Sequence, residues 1–143
     1  MTIYDVKQSD YLELLDVWEQ SVRATHDFLT EQDIQNIRKQ IADNYFDSMT
    51  LKGFKDSNNR LLGFSGVSDR KLEMLFVLPS AQGKGIGYSL CRYSIDNLDV
   101  QYVDVNEQNP KGLSFYKKVG FKIINRSHLD NEGRPFPILH LSL

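Results

Sequence analysis

Gln82-Gly83-Lys84-Gly85-Ile86-Gly87 stands between a short apolar run, Lys71 to Leu78, and a helical stripe of Ile86, Leu90, Cys91, Ser94, Ile95 and Leu98. Glycine lets a chain turn sharply and lets backbone approach a ligand closely. The first turn of a helix offers unpaired N–H groups and the positive end of a dipole. Together these make a site for phosphate or pyrophosphate. No Lys-Ser or Lys-Thr pair closes the loop, and its spacing is not the Gly-x-Gly-x-x-Gly of dinucleotide folds. The alternative is a plain strand-to-helix turn. Asn109 and Tyr116 lie seven residues apart, on one face of a helix. Asn109 also reads as a helix cap, and Tyr116 as a core aromatic on the stripe of Leu113 and Val119. Cys91 falls on an apolar stripe and reads as a buried structural thiol. His128 and His140 are isolated strand residues, and their spacing suggests no metal site.

The elements that must hold these groups follow from periodicity. Thr2 to Val6 alternates as a short strand. Asp10 and Glu13 suggest a cap for a helix with apolar residues at Tyr11, Leu14, Leu15, Trp18 and Val22. Thr30 and Asp33 start a second helix, whose stripe runs through Ile34, Ile37, Ile41 and Tyr45. Met49 to Lys55, Leu61 to Val67 and Lys71 to Leu78 read as strands, with a turn at Asp56-Ser57-Asn58-Asn59. After the glycine loop and its helix, Gln101 to Val105 is a strand. Asn109 and Pro110 open a helix that Gly120 closes. Phe121 to Ser127 and Phe136 to Leu143 are the last strands, joined through Asp130-Asn131-Glu132-Gly133. Antiparallel strands followed by strand–helix alternation predict an α+β (α/β) fold, a mixed sheet with helices on both faces.

Leu75-Phe76-Val77-Leu78-Pro79 followed by Gln82 to Gly87 resembles the central motif of the GNAT superfamily of N-acetyltransferases. That motif reads Gln/Arg-x-x-Gly-x-Gly/Ala, and Gln82, Gly85 and Gly87 match its fixed positions. Asn109 to Phe121 resembles the next motif of the family, in which an asparagine opens a helix, a tyrosine follows and Gly-Phe ends it. The resemblance covers Gly53 to Ser127 well and the first 48 residues weakly. It implies a mostly antiparallel sheet of about seven strands, splayed at the cofactor site and flanked by four helices. It also implies acetyl-coenzyme A as co-substrate. Gln82, Gly83, Lys84, Gly85, Ile86 and Gly87 would hold its pyrophosphate. Leu75, Phe76 and Val77 would line its pantetheine arm, and Asn109 and Tyr116 would lie against its amides and sulfur. The chemistry expected of Tyr116 is proton donation to the departing thiolate. An ordinary tyrosine titrates near ~10 and a thiol near ~8.5, so the phenol stays protonated at neutral pH.

An amine acceptor must lose a proton, and Glu73, Asp104 and His26 are the candidate bases. Asp104 alternates with Val103 and Val105, so it faces the side of the sheet opposite those valines. Each carboxylate also reads as a solvated or salt-bridged strand residue. The segment Trp18 to Leu29 lies where the family builds its acceptor pocket. Its Thr25-His26-Asp27-Phe28-Leu29 turn is similar to a subgroup of small acetyltransferases without an assigned substrate. Trp18, His26 and Phe28 are the expected acceptor-binding residues. The expected activity is direct acetyl transfer in a ternary complex. The competing reading is a non-catalytic acyl-coenzyme A sensor or interaction module.

The 143 residues fit one domain, expected over 1–143, large enough to fold without staples. The formal net charge of −2 argues against nucleic-acid binding. Cys91 is the only cysteine, which excludes an internal disulfide and points to the cytoplasm. Met1 to Asp10 lacks the apolar core of a signal peptide, and no run of about 18 apolar residues predicts a membrane span. The expected partner is a small-molecule or peptide amine, without metal or membrane. A homodimer is compatible with the sequence.

Overall fold

The computed structural model describes residues 2–143, so Met1 lies outside the described residues. The strands are β1 (Thr2–Asp5), β2 (Thr50–Lys55), β3 (Leu61–Ser68), β4 (Lys71–Val77), β5 (Tyr102–Asn106), β6 (Lys122–Ser127) and β7 (Ile138–Ser142). The α-helices are α1 (Tyr11–Thr25), α2 (Glu31–Gln40), α3 (Ile86–Leu98) and α4 (Pro110–Val119). The strands form one mixed sheet in the order β1-β2-β3-β4-β5-β7-β6. All its pairings are antiparallel except β4 with β5.

Local chemistry explains most boundaries. Thr30 Oγ1 accepts the Asp33 N–H at 3.0 Å while the Asp33 carboxylate accepts the Thr30 N–H at 3.0 Å, a reciprocal cap that starts α2. Asn109 and Pro110 start α4 as cap and first-turn proline. Asp56 Oδ1 accepts the N–H groups of Asn58 and Arg60, both at 2.9 Å, which forms the β2–β3 turn. Asp130 does the same for Glu132 and Arg134 between β6 and β7. Asp10 departs from expectation. Its carboxylate accepts the Lys7 N–H at 2.9 Å in the short turn before α1 and makes no side-chain bond to the helix. The stripe through Tyr45 is not one continuous α-helix either. After Gln40 the chain widens into a π-turn, Ile41–Tyr45, followed by a 3₁₀ turn, Phe46–Ser48. Ile41 and Phe46 are thereby both buried, and the half-buried Tyr45 donates to Glu132 at 2.6 Å.

The core has two parts joined by α3. One packs α1 and α2 against β2, β3 and β4, together with Ile86 and Leu90. The other packs Cys91 and Tyr116 against Leu72, Val103, Val105, Leu139 and Leu141. β3 is central and buried on both faces, which explains its near-continuous apolar sequence. Phe64 is fully buried, with ring centroids 6.0 Å from Phe46 and 5.8 Å from Phe76. Replacing it empties the centre of the larger core part. Phe64→Ala is expected to cost about 3–5 kcal/mol in equilibrium denaturation. A loss under about 1 kcal/mol would contradict this placement of the core.

Candidate active site

The glycine loop owes its shape to two backbone positions. Gly83 and Gly85 have φ of +78° and +79°, a region that side chains with a Cβ rarely adopt. A Cβ built on either would meet nothing within 4 Å, so backbone conformation and not crowding demands glycine. Gly87 differs. It lies in the first turn of α3, where a Cβ would touch Val77 at 3.7 Å and Phe115 at 3.8 Å, ordinary contact distances. The first bond of α3 runs from the Ser89 N–H to the Gly85 carbonyl at 2.9 Å. The amides of Gly85, Ile86, Gly87 and Tyr88 therefore have no partner within the helix. Ile86 is buried beneath them, and Lys84 is exposed beside them. Such an array suits an anion.

The strand before the loop is only half paired. β4 runs beside β3 as far as Val77, but it meets β5 only at Lys71↔Tyr102 and Leu72↔Val103. From Glu73 onward the two strands part. The β3–β4 register shifts between Gly66 and Val67, leaving Glu73 as the extra residue of a bulge where the parting starts. The Leu78 N–H donates to the Leu62 carbonyl at 2.8 Å, on the β3 side. Backbone groups alternate along a strand, so those of Leu75 and Val77 point into the opening. Gln82 fills part of the gap, its Nε2 donating to the Val77 carbonyl at 3.2 Å. The glutamine thus replaces the missing strand partner and ties the loop to the end of β4. Leu75 and Phe76 are half-buried and Val77 is buried.

On the α3–α4 side of the sheet stand Asn109 and Tyr116. The Asn109 side-chain oxygen accepts the Gly112 N–H at 3.1 Å. A Cβ on Gly112 would lie 2.5 Å from Asn109 Nδ2, so glycine lets the Asn109 side chain sit closely over the first turn in this rotamer. Tyr116 is 9% exposed, edge-on to Phe115 and Phe121 at 5.2 and 5.8 Å. Burial first, and the nearby Cys91 second, push its phenol well above the ordinary tyrosine value. Cys91 is itself fully buried, and its thiol is pushed up to about 11 by burial, which leaves almost no thiolate at neutral pH.

On the opposite face, Lys71, Glu73, Tyr102, Asp104 and His140 line a cleft of about 350 Å³. Burial raises the Glu73 carboxyl; Lys71 opposes this, and Asp104 and Asp69 add to it. Asp104 forms an ion pair with Lys71 through Oδ2, and its Oδ1 lies 2.6 Å from His140 Nδ1. Lys71 Nζ is 3.9 Å from Glu73. His140, read as isolated in the sequence, therefore has two partners, the second being Ser127 Oγ at 2.6 Å from Nε2. The signal was present in Leu139-His140-Leu141, where alternation sends His140 to the face away from the core, but the β5–β7 pairing that joins it to Asp104 is a long-range fact. A separate depression of about 440 Å³ near Asp47–Thr50 and Ser68–Arg70 holds none of the candidate residues.

The acceptor-side residues divide. Trp18 is 3% exposed within the larger core part, so its indole serves packing, and the expectation that it lines an acceptor pocket is corrected. It sits on the α1 stripe with Leu14 and Leu15, and that stripe faces inward. The His26 and Phe28 rings pack at a tilt with centroids 5.4 Å apart, and Phe28 meets Phe136 of the β6–β7 connection at 5.2 Å. The Thr25 hydroxyl donates to the Ser21 carbonyl at 2.8 Å and contacts His26 Nδ1 at 2.7 Å. With its single proton so used, Thr25 accepts from Nδ1–H, which leaves Nε2 as the basic nitrogen. Burial lowers the His26 pKa, so the ring is neutral near pH 7. No group of three or more metal-ligating side chains occurs among the described residues.

A family model described as an acetyltransferase (GNAT) domain matches residues 13–137. The chain belongs to the GNAT family. It is an N-acetyltransferase by that membership, and its seven-stranded open sheet with four helices is the GNAT fold. The peptidyl-lysine N-acetyltransferase YjaB of Escherichia coli is 33% identical over 91% of this chain and 88% of its own length. The solution structure of apo YjaB superposes with a TM-score of 0.88 at 31% identity, covering 99% of this chain and 95% of that one. A PaiA N-acetyltransferase of Thermoplasma acidophilum, solved in complex with coenzyme A, shares the fold at a TM-score of 0.72 and 21% identity, covering 99% and 98% of the two chains. Within this GNAT domain the three loop glycines make unequal demands. Gly85→Ala is expected to destabilise by about 1–2 kcal/mol through its left-handed backbone. Gly87→Ala, sterically free and helical, is expected to be neutral or stabilising by up to about 1 kcal/mol. Thermal or chemical denaturation measures both, and the reverse ranking would contradict the loop geometry.

Proposed function

We propose that this chain, as a single domain, transfers the acetyl group of acetyl-coenzyme A directly to a lysine ε-amine of a peptide or protein. The observation that carries the reading is the pairing of a free amide array at residues 85–88 with an opening beside β4 that begins at Glu73. A diphosphate suits the first and an extended, amide-bearing arm suits the second. Gln82, Gly83, Lys84, Gly85, Ile86 and Gly87 would hold the diphosphate, and Leu75, Phe76, Val77 and Asn109 the arm. The lysine acceptor is suggested by the likeness to YjaB, a peptidyl-lysine N-acetyltransferase.

The roles follow from chemistry. The acceptor nitrogen attacks the thioester carbonyl, the N–C bond forms, and the C–S bond breaks. The Val77 N–H, directed into the opening, is placed to stabilise the oxyanion. Tyr116 donates to the departing sulfur. Its raised pKa keeps it protonated but makes it a weaker acid than a free phenol, so its hydrogen bond matters more than early proton transfer. Glu73 takes the acceptor's proton, directly or through water. Asp104 is the poorer choice because Lys71 and His140 already engage both of its oxygens. His26, with a free Nε2, and Phe28 are assigned to acceptor binding.

Tyr116→Phe is expected to lower kcat with near-normal coenzyme A affinity, read as thiol release with a lysine peptide. Glu73→Gln is expected to lower kcat/KM by about 100-fold or more. A base with a raised pKa is lost as pH falls, so the wild-type acid limb should lie above the ordinary carboxylate value of ~4.3 and vanish in Glu73→Gln. Acetyl-coenzyme A binding without thiol release in the presence of any amine would favour the sensor reading instead.

A further inference from the structure

Three strands of the open sheet half place a serine, a histidine and an aspartate in hydrogen-bonded series. Ser127 Oγ lies 2.6 Å from His140 Nε2. His140 Nδ1 lies 2.6 Å from Asp104 Oδ1. Asp104 and His140 are directly paired in the β5–β7 register, and Ser127 comes from β6, paired with Ile138 two residues along β7 and so on the same face as His140. All three side chains are half-buried, and His140 and Asp104 border the 350 Å³ cleft. Acetyl transfer to an amine as proposed above gives Ser127 and His140 no role, although His140 and Asp104 line the same cleft as Glu73.

The tautomer follows from the partners. Asp104 accepts hydrogen bonds, so Nδ1 carries the imidazole proton and Nε2 is left as a base. The Ser127 hydroxyl then donates to Nε2. Lys71 binds the other Asp104 oxygen, Oδ2, and leaves Oδ1 to orient the ring. Nucleophile, base and orienting carboxylate within hydrogen-bond reach is the arrangement of covalent acyl-transfer sites, whatever the fold.

We propose that Ser127, His140 and Asp104 form a second acyl-transfer site, which hydrolyses small activated acyl esters through an acyl-serine. Ser127 Oγ attacks the acyl carbon while His140 Nε2 takes its proton. The new C–O bond forms, the ester C–O bond breaks, and the leaving oxygen receives the proton from His140. Water then attacks the acyl-serine with His140 as base, releasing the acid and restoring the hydroxyl. Asp104 holds the ring and balances the imidazolium charge. Lys71 beside it weakens that balance and slows both steps, but an activated ester needs little help to expel its leaving group, so acylation outruns deacylation and the acyl-serine accumulates.

The test uses the full chain with p-nitrophenyl acetate and no coenzyme A, so its outcome is independent of the amine acetylation proposed above. Peptide mapping by mass spectrometry should find one acetyl group on Ser127 at early times. p-Nitrophenolate release should fall by about 100-fold or more in Ser127→Ala and in His140→Gln. A fluorophosphonate probe applied to the unaltered chain should label Ser127, which needs no variant to fold. Acetyl and probe found only on lysines or elsewhere, or release by a folded Ser127→Ala equal to that of the parent chain, would overturn the proposal.

Discussion

A strand amide that loses its partner must find another one, because an unpaired buried polar group costs about 1–3 kcal/mol. β4 is built to create that situation. It stays beside β3 along its whole length, with one bulge at Glu73, yet leaves β5 after Leu72. One of the orphaned groups, the Val77 carbonyl, is repaired internally by Gln82. The Leu75 and Val77 amides still point into the opening, and the free amides at the head of α3 lie just beyond. The architecture around this parting can be understood as support for it. β3 is buried on both faces and anchors the paired edge of β4, while α3 bridges the two core parts on either side of the split.

The parting also lets the two faces of the sheet meet. Tyr116 and Asn109 belong to the α3–α4 face, and Glu73, Asp104 and His140 to the other. A continuous sheet would separate the Tyr116 phenol from the Glu73 carboxyl by its full thickness. β4 and β5 stay apart beyond Leu72, so the sheet is open between these two faces. The bulge at Glu73 matters here, since it sits where pairing stops and re-aims one side chain at that point. Electrostatics then distinguish the two carboxylates. Glu73 is raised mainly by burial, whereas Asp104 is held between Lys71 and His140. The Lys71 pair is partly exposed and worth about 1 kcal/mol or less in stability, so its effect on charge placement outweighs its effect on the fold.

Local signals made much of this legible in the sequence. The Thr30–Asp33 cap, the Asn109–Pro110 helix start and the Asp56 and Asp130 turns are near-neighbour chemistry, and each forms as the residues suggest. Gly83 and Gly85 announced a loop whose left-handed backbone favours glycine. Alternation of Asp104 with buried Val103 and Val105 was enough to assign it a face. The losses came where the outcome depends on distant partners. Trp18 looked like a pocket residue because it lies near His26 and Phe28, but α1 turns it into the core with Leu14 and Leu15. The π-turn at Ile41 keeps helical spacing in the sequence while changing what faces inward. His140 looked isolated because its partners lie 36 and 13 residues away, on strands brought together only by the sheet order. No helix among the described residues is long and apolar enough to cross a membrane.

The central claim is that the amides at the head of α3 and along the open side of β4 bind one ligand together. Titrating ¹⁵N-labelled protein with coenzyme A while following amide chemical shifts tests this most directly. The largest shifts should map to residues 83–88 and to 75–77, saturating together with one affinity. Saturation with shifts confined elsewhere, or none at all in the presence of coenzyme A, would contradict the account.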